Sequence, residues 1–150
     1  MGTTSSFGFG TYGYIAVKNL RCAQLAFVGG EYDGCAFMCH QAVEKIMKHV
    51  LVDYVDKGID CSVFKANRLI KILNVLCIEY PSLNRLRRDI SRLGDVYFNS
   101  RYPSEKYTEY TKTSAAEFLN TAVAVFTALQ QPTMQVTDIV YASHKEAVRR

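Results

Sequence analysis

Apolar residues recur at intervals of three and four along most of the 150-residue chain, which is the spacing of α-helices with a buried face. The longest such stretch, residues 32–54, contains no proline and has its only glycine near its start. In helical projection its apolar residues cover one broad arc: Cys35, Cys39, Ala42, Val43, Ile46, Met47, Val50 and Tyr54. So wide an arc predicts a helix buried against several neighbours. The opposite side is polar except for one aromatic residue: Phe37, Gln41, Glu44, Lys45 and Lys48.

The same spacing predicts further helices and no strand. The predicted segments are 14–28, which ends at a pair of glycines, 63–78, about 82–98 with Ser82 as N-cap, and 114–129 with a capping box of Ser114 and Glu117. Short connections between helices favour antiparallel packing. The predicted fold is therefore all-α, an antiparallel up-and-down four-helix bundle with a fifth helix. The bundle occupies residues 14–131, between a flexible glycine-rich arm (1–13) and a tail or short helix (132–150).

Composition narrows the class of protein. About half of the residues are hydrophobic and the net charge is +4, which suits a domain with a real core and an affinity for anions. The basic residues are less dense than in a dedicated nucleic-acid-binding domain. The five cysteines have no paired spacing, which is typical of reduced cysteines in a cytoplasmic protein. No apolar run is long enough to cross a membrane.

None of the common catalytic or cofactor motifs has its required context. No serine or cysteine motif accompanies the three histidines, His40, His49 and His144. Cys35, Cys39 and His40 lack the second ligand pair of a zinc site. Gly8, Gly10 and Gly13 spell a dinucleotide-binding pattern, but no strand precedes them. We therefore predict no catalytic residue, no metal site and no cofactor.

Arginines and tyrosines form the most informative polar pattern. Arg85, Arg88 and Arg92 lie on one face of the fourth helix, and Arg101, Lys45 and Lys48 could face the same groove. Guanidinium forks bind phosphate, and aromatic rings stack on bases. Two interpretations stay open: a site for a nucleotide or RNA phosphate, or a solvated helix face with local ion pairs such as Arg85–Asp89. Spacing alone favours the solvated face.

Short motifs in a consistent order carry a family resemblance. In residues 32–48 they are Tyr32, Ala36, Phe37, the run Gln41 to Lys45, and Lys48. Further along are Asn67-Arg68-Leu69, Leu93, Tyr97 and Arg101-Tyr102-Pro103. Over residues 15–130 this order resembles the HEPN domain (higher eukaryotes and prokaryotes nucleotide-binding domain). Many members have His-Asp-Leu where this chain has Asn67-Arg68-Leu69.

The resemblance implies an all-helical bundle that is usually a homodimer. It also implies one of three roles: partner of a minimal nucleotidyltransferase in a toxin–antitoxin-like pair, nucleotide binding, or metal-independent ribonuclease activity. The ribonucleases use an arginine followed, after four to six residues, by a histidine. In this chain the positions after Arg101 hold Lys106, Tyr107 and Thr108, so the ribonuclease motif is missing.

The leading hypothesis is thus a non-catalytic module that binds a nucleotide or partners a nucleotidyltransferase. The alternatives are a divergent ribonuclease using Arg101 and a purely structural interaction domain. Phe37 is the candidate for a homodimer interface. The candidate residues for a nucleotide or RNA phosphate are Arg101, Tyr102, Tyr97, Tyr107, Lys45, Lys48, Arg88, Arg92, Gln41 and Glu44.

Overall fold

The computed structural model of the chain describes residues 11–52, 58, 61–65, 68–101 and 110–131, without the side chains of residues 61 and 97–101. All regular structure in these residues is helical, which confirms the all-α prediction. The elements are α1 (Tyr12–Val28), α2 (Tyr32–Leu51), a 3₁₀ helix (Cys61–Lys65), α3 (Leu69–Leu76), a second 3₁₀ helix (Pro81–Leu86), α4 (Arg87–Arg101) and α5 (Lys112–Ala128). The predicted tail and most of the predicted arm lie outside the described residues.

Helix α2 is the centre of the fold. It contacts α1, α3, α4 and α5, as its wide apolar arc predicts. The members of that arc that the structure describes are all buried: Cys35, Cys39, Ala42, Val43, Ile46, Met47 and Val50. Because burial of apolar surface is the main stabilising term in folding, α2 fixes the positions of the other helices.

The connection between α1 and α2 is short because glycine permits a left-handed turn. Gly30 has φ of +80°, a conformation that costs glycine nothing and other residues much more. The turn closes with hydrogen bonds from the amides of Gly29 and Glu31 to the carbonyls of Leu25 and Ala26. At its other end, α1 begins two residues before the predicted start, since the Thr11 hydroxyl caps it by accepting the Tyr14 amide at 3.2 Å.

The third predicted helix, 63–78, is wrong in its first part. Its apolar residues belong instead to a separate 3₁₀ helix, followed by α3 from Leu69. Arg68 has an extended backbone (φ −85°, ψ 114°) at the start of α3, which excludes one continuous helix. The 3₁₀ helix buries Val63 and stacks Phe64 on Tyr12 with ring centroids 6.3 Å apart. These contacts follow from tertiary packing, which apolar periodicity does not encode.

The predicted N-cap of the fourth helix, Ser82, is also wrong. The chain first makes a 3₁₀ helix from Pro81, and α4 starts only at Arg87. A 3₁₀ turn holds three residues instead of 3.6, so Arg85 and Asp89 no longer lie on one face. The predicted Arg85–Asp89 ion pair is accordingly not formed among the described side chains.

Helix α5 opens with a capping box, but one turn earlier than predicted. The Thr111 hydroxyl accepts the Ser114 amide at 3.2 Å, and the Ser114 hydroxyl accepts the Thr111 amide at 2.9 Å. The predicted box of Ser114 and Glu117 is therefore wrong. Glu117 takes no part in the observed cap, and its carboxylate pairs with Arg92 of α4.

Candidate anion-binding site

The polar side of α2 carries a buried ion cluster, not a solvated face. Glu44 is only 3% exposed and Lys48 only 5%. One carboxylate oxygen of Glu44 lies 2.9 Å from the Lys48 ammonium and 3.1 Å from the Lys45 ammonium. Projection on a helix placed these residues correctly opposite the apolar arc. It missed their burial because burial depends on what the rest of the chain places against them.

The carboxylate of Glu44 keeps its charge despite its burial. Burial alone raises the pKa of Glu44, but the hydrogen bond from Lys48 and the charges of Lys45 and Lys48 outweigh it. The pKa of Glu44 therefore lies below its ordinary value, and the carboxylate is ionised at neutral pH. Two ammonium groups around one carboxylate leave one positive charge uncompensated.

His40 adjoins this cluster as a neutral ring. It is completely buried, and its Nδ1 atom lies 3.2 Å from the Gln41 side-chain nitrogen. Burial lowers the pKa of His40 to about 4; the carboxylate of Glu44 opposes that change, whereas Lys45 and Lys48 add to it. A neutral imidazole can accept the amide hydrogen of Gln41 at Nδ1. With no exposed surface, the ring is a packing residue and not an acid or base for a ligand.

Phe37 lies on the same side of α2. It is partly buried, and it is not among the described apolar side chains that pack against the core. The described core residues therefore do not account for the partial burial of its ring.

A separate basic groove lies along the start of α4. The groove is open to solvent and has a volume of about 670 Å³. It is lined by Ile70 of α3 and by polar residues of the second 3₁₀ helix and α4, namely Asn84, Arg85, Arg87, Arg88, Ser91, Arg92 and Asp95. Four arginines thus face one aspartate. Arg85 and Arg88 are exposed, and no described residue forms an ion pair or hydrogen bond with either.

The other two arginines of the groove are already bound by side chains. Arg87 donates to the side-chain oxygens of Asn74 at 2.8 Å and Asn84 at 3.0 Å, which fastens the start of α4 to α3. Arg92 lies 3.0 Å from the Glu117 carboxylate of α5. Its guanidinium also lies 5.8 Å from the centre of the Phe118 ring.

Arg92 also borders a second groove, between α4 and α5. The described lining of that groove is Leu86, Asp89, Arg92, Glu117, Phe118, Asn120, Thr121 and Ala124. Arg92 therefore borders both grooves, whereas Glu117 lines only the second. Both side chains are about half exposed, 54% and 50%, so water and ligands reach the pair.

The structure divides the predicted site into parts. Arg88 and Arg92 share the basic groove, whereas the predicted α2 residues cluster around Glu44. Lys45 and Lys48 are not among the residues that line the basic groove. The side chains of Tyr97 and Arg101, and all of Tyr102 and Tyr107, lie outside the described part.

Sequence reasoning missed three contributors to this region. Arg87 did not fit the line of arginines at positions 85, 88 and 92, and its partner Asn74 lies on another helix. Glu117 was assigned to a helix cap, which concealed its pairing with Arg92. Phe118 belongs to none of the motifs noted in the sequence, although it is buried. The signal in the sequence was a second apolar repeat along α5, through Ala115, Phe118 and Ala122.

The described residues form neither a metal site nor a membrane span. Within the described ranges, no group of three or more His, Cys, Asp or Glu side chains could hold a metal ion. None of the described helices has the length and apolar character needed to span a bilayer. Cys35 and Cys39 are buried, with the Cys35 sulfur 4.0 Å from the Ala115 carbonyl. Cys39 donates a hydrogen bond to the Cys35 sulfur, and this bond together with burial raises the pKa of Cys39, so this thiol is protonated and inert.

Comparison with known proteins gives one match. The family model of the HEPN domain matches residues 13–131. Neither the curated proteins nor the solved structures include a significant match to the chain. The matched range runs from the first turn of α1 to the last described residue after α5.

Proposed function

Because the chain belongs to the HEPN domain family, we propose that it is a non-catalytic module that binds a nucleotide through its phosphates and partners a minimal nucleotidyltransferase. The observation that carries the ligand half is the basic groove. Arg85 and Arg88 are exposed there, lack a described protein partner and lie beside Arg87 and Arg92. Guanidinium groups with unused donors are suited to bidentate contact with phosphate oxygens.

The groove geometry suits a ligand with its charge at one end. Arg88 and Arg92 are one helical turn apart, about 6 Å along the axis, and Arg85 precedes them on the 3₁₀ helix. Asp95 at the far end of the lining opposes an anion there. The phosphates would therefore bind toward Arg85 and Arg88, with Ile70 offering an apolar surface to the rest of the ligand.

The α2 cluster is the second part of the proposal. Gln41, Glu44, Lys45 and Lys48 carry the family likeness, and the cluster has one uncompensated positive charge. We assign its partly exposed members, Gln41 and Lys45, with Arg101, Tyr102, Tyr97 and Tyr107, to contacts with the ligand or with the nucleotidyltransferase, and the buried pair Glu44–Lys48 to holding Lys45 in position. The finer architecture, an antiparallel up-and-down bundle that forms a homodimer through Phe37 in the cytoplasm, belongs to the same proposal.

The missing ribonuclease motif supports a non-catalytic role. No histidine follows Arg101 at the spacing of the family's ribonucleases. His40 is completely buried, with a pKa of about 4, so its ring is uncharged at neutral pH and out of reach of an RNA substrate. Incubation of the protein with RNA in EDTA tests this directly. We expect intact RNA, and cleavage that Arg101→Ala abolishes would establish the ribonuclease alternative instead.

Thermal unfolding with ATP, GTP and UTP tests ligand binding. A ligand at about 100 times its Kd stabilises the folded state by about 2.7 kcal/mol, which raises the Tm of a domain of this size by roughly 5–10 °C. We expect the double variant Arg85→Ala/Arg88→Ala to abolish the increase. Arg21→Ala is the matched control, because Arg21 is exposed on α1, away from the groove.

The same measurement separates the two parts of the proposed site. If Arg101→Ala also abolishes the increase, the arginine at the end of α4 contributes to the same ligand. No increase with any nucleotide, combined with capture of a nucleotidyltransferase, would leave only the structural interaction role.

A further inference from the structure

Arg92 can pair either with Glu117 of its own chain or with an anion in the basic groove. It lines the basic groove with Arg85 and Arg88, yet its guanidinium is 3.0 Å from Glu117. The Phe118 ring, 5.8 Å from the guanidinium, supports the cation whichever anion it contacts, since an aromatic face attracts a positive charge without neutralising it. Phe118 is itself only 4% exposed and fixed by the core.

We propose that Glu117 is a specificity-determining residue that occupies Arg92 until a ligand with several adjacent phosphates displaces it. This inference rests on the proposed function, because it concerns the same groove. A single phosphate can be bound by Arg85 and Arg88, which have no competing protein partner among the described residues. A chain of phosphates along the line of arginines reaches Arg92 and replaces the Glu117 carboxylate.

The strength of the Arg92–Glu117 pair suits such an exchange. An ion pair between side chains exposed to this degree is weak. The free energy needed to break it lowers the binding constant of a competing ligand only about two- to fivefold. A phosphate chain carries more charge than one carboxylate and offers bidentate oxygens, so it can displace Glu117. A buried pair such as Glu44–Lys48 could not be opened at that cost.

The consequence is discrimination by the number of phosphates. Glu117 weakens the binding of a ligand that must reach Arg92, but its effect on a monophosphate is limited to its distant charge. The ratio of triphosphate to monophosphate affinity therefore depends on residues 92 and 117, and the affinity for monophosphate depends on residues 85 and 88.

Isothermal titration of the full chain with AMP, ATP and inorganic tripolyphosphate tests this inference. We expect Glu117→Gln to tighten ATP and tripolyphosphate binding by about two- to fivefold, with a smaller change for AMP. Arg92→Ala should weaken the two triphosphates and leave AMP nearly unchanged. The double variant should match Arg92→Ala alone, because Glu117 acts through Arg92.

Glu31→Gln is the control for charge, since Glu31 is an exposed carboxylate at the start of α2. Equal tightening by Glu31→Gln and Glu117→Gln would overturn the inference, and so would equal changes for AMP and ATP in Glu117→Gln. These results would leave the proposed function standing. Absence of binding of all three compounds to the wild-type protein would instead overturn the proposed function and this inference together.

Discussion

At the scale of single residues, the unusual feature is the buried ion pair on α2 between Glu44 and Lys48. Glu44 holds Lys48 at 2.9 Å with both side chains almost inaccessible. Removing one partner of such a pair leaves an uncompensated buried charge, which costs far more than the pair contributes. We expect Glu44→Ala to lower the free energy of unfolding by roughly 3 kcal/mol in urea titrations.

The exposed pair of α4 and α5 is the matched control. Glu117→Ala removes the same carboxylate from an arginine that is 54% exposed, and we expect a loss below about 1 kcal/mol. Equal losses for the two variants would show that the Glu44 cluster is solvated.

His40 gives the protein a stability that depends on pH. Burial lowers its pKa to about 4 from an ordinary value of 6.5, so the unfolded chain binds a proton at pH values where the folded chain does not. Stability is therefore present above about pH 6.5 and is lost as the pH falls toward 4. The loss should be about 2 kcal/mol between pH 7 and pH 5.

Urea titrations at these two pH values check the effect. His40→Gln should remove most of the pH dependence, whereas His49→Gln, on the same helix but only partly buried, should retain it. Glu44 stays ionised in this range because its pKa is lowered. A pH dependence unchanged by His40→Gln would contradict the assignment.

Residue-level prediction from the sequence succeeded where one helix decides the outcome. The apolar arc of α2 follows from projection on a single helix. The burial of Glu44 and Lys48 does not, because long polar side chains on the side opposite the core are ordinarily solvated. Their burial requires knowledge of neighbouring elements.

At the scale of elements, the boundaries of helices depend on single hydrogen bonds. Thr111 and Ser114 exchange two bonds at the start of α5. We expect Thr111→Ala to cost about 1 kcal/mol, the usual value for loss of an N-cap. Thr113→Ala is the control: this exposed residue lies within the first turn, and alanine there should be neutral or slightly stabilising.

Thermal or urea unfolding distinguishes these variants, and an equal effect of both would contradict the observed cap. The predicted cap, Ser114 with Glu117, matches the usual capping-box pattern, whereas the observed cap has a serine in place of the glutamate. The sequence pattern therefore favoured the wrong cap, because the start of the helix depends on where the preceding chain is held. Here the amide of Tyr110 is fixed by the Asp33 carboxylate at 2.7 Å, which sets the start of α5 beside α2.

The elements with an extended apolar repeat were predicted with nearly correct bounds, as α1 shows. The two 3₁₀ helices were not predicted. Over a single turn, an α-helix and a 3₁₀ helix place side chains at nearly the same spacing. The positions of Val63 and Leu83 in the apolar repeat therefore do not show which of the two kinds of helix contains them. Pro81 was the available signal. Proline is favoured at the first position of a helix, where its missing amide has no partner to lose. It therefore indicated a helix that begins at residue 81 and not a cap at Ser82.

At the scale of the whole molecule, the candidate charges belong to two elements with different surroundings. The cluster on α2 is neutralised in part and buried, whereas the groove on α4 is open, and two of its four arginines have no partner among the described residues. Composition alone suggested a mild affinity for anions. In the folded chain Arg85 and Arg88 are exposed in one groove without a partner among the described residues, a position that a net charge of +4 could not locate.

Association of two chains is the remaining prediction at this scale. Phe37 is partly buried but does not pack against the described core, and an aromatic ring in that situation is suited to a subunit contact. We expect sedimentation at tens of micromolar to give a dimer and Phe37→Asp to give a monomer with an unchanged helical spectrum. Ile78→Asp is the matched control, since Ile78 is 80% exposed and the same charge is introduced. A wild-type monomer, or dissociation by Ile78→Asp alone, would place the function of Phe37 elsewhere, as a surface for a nucleotide base or a protein partner.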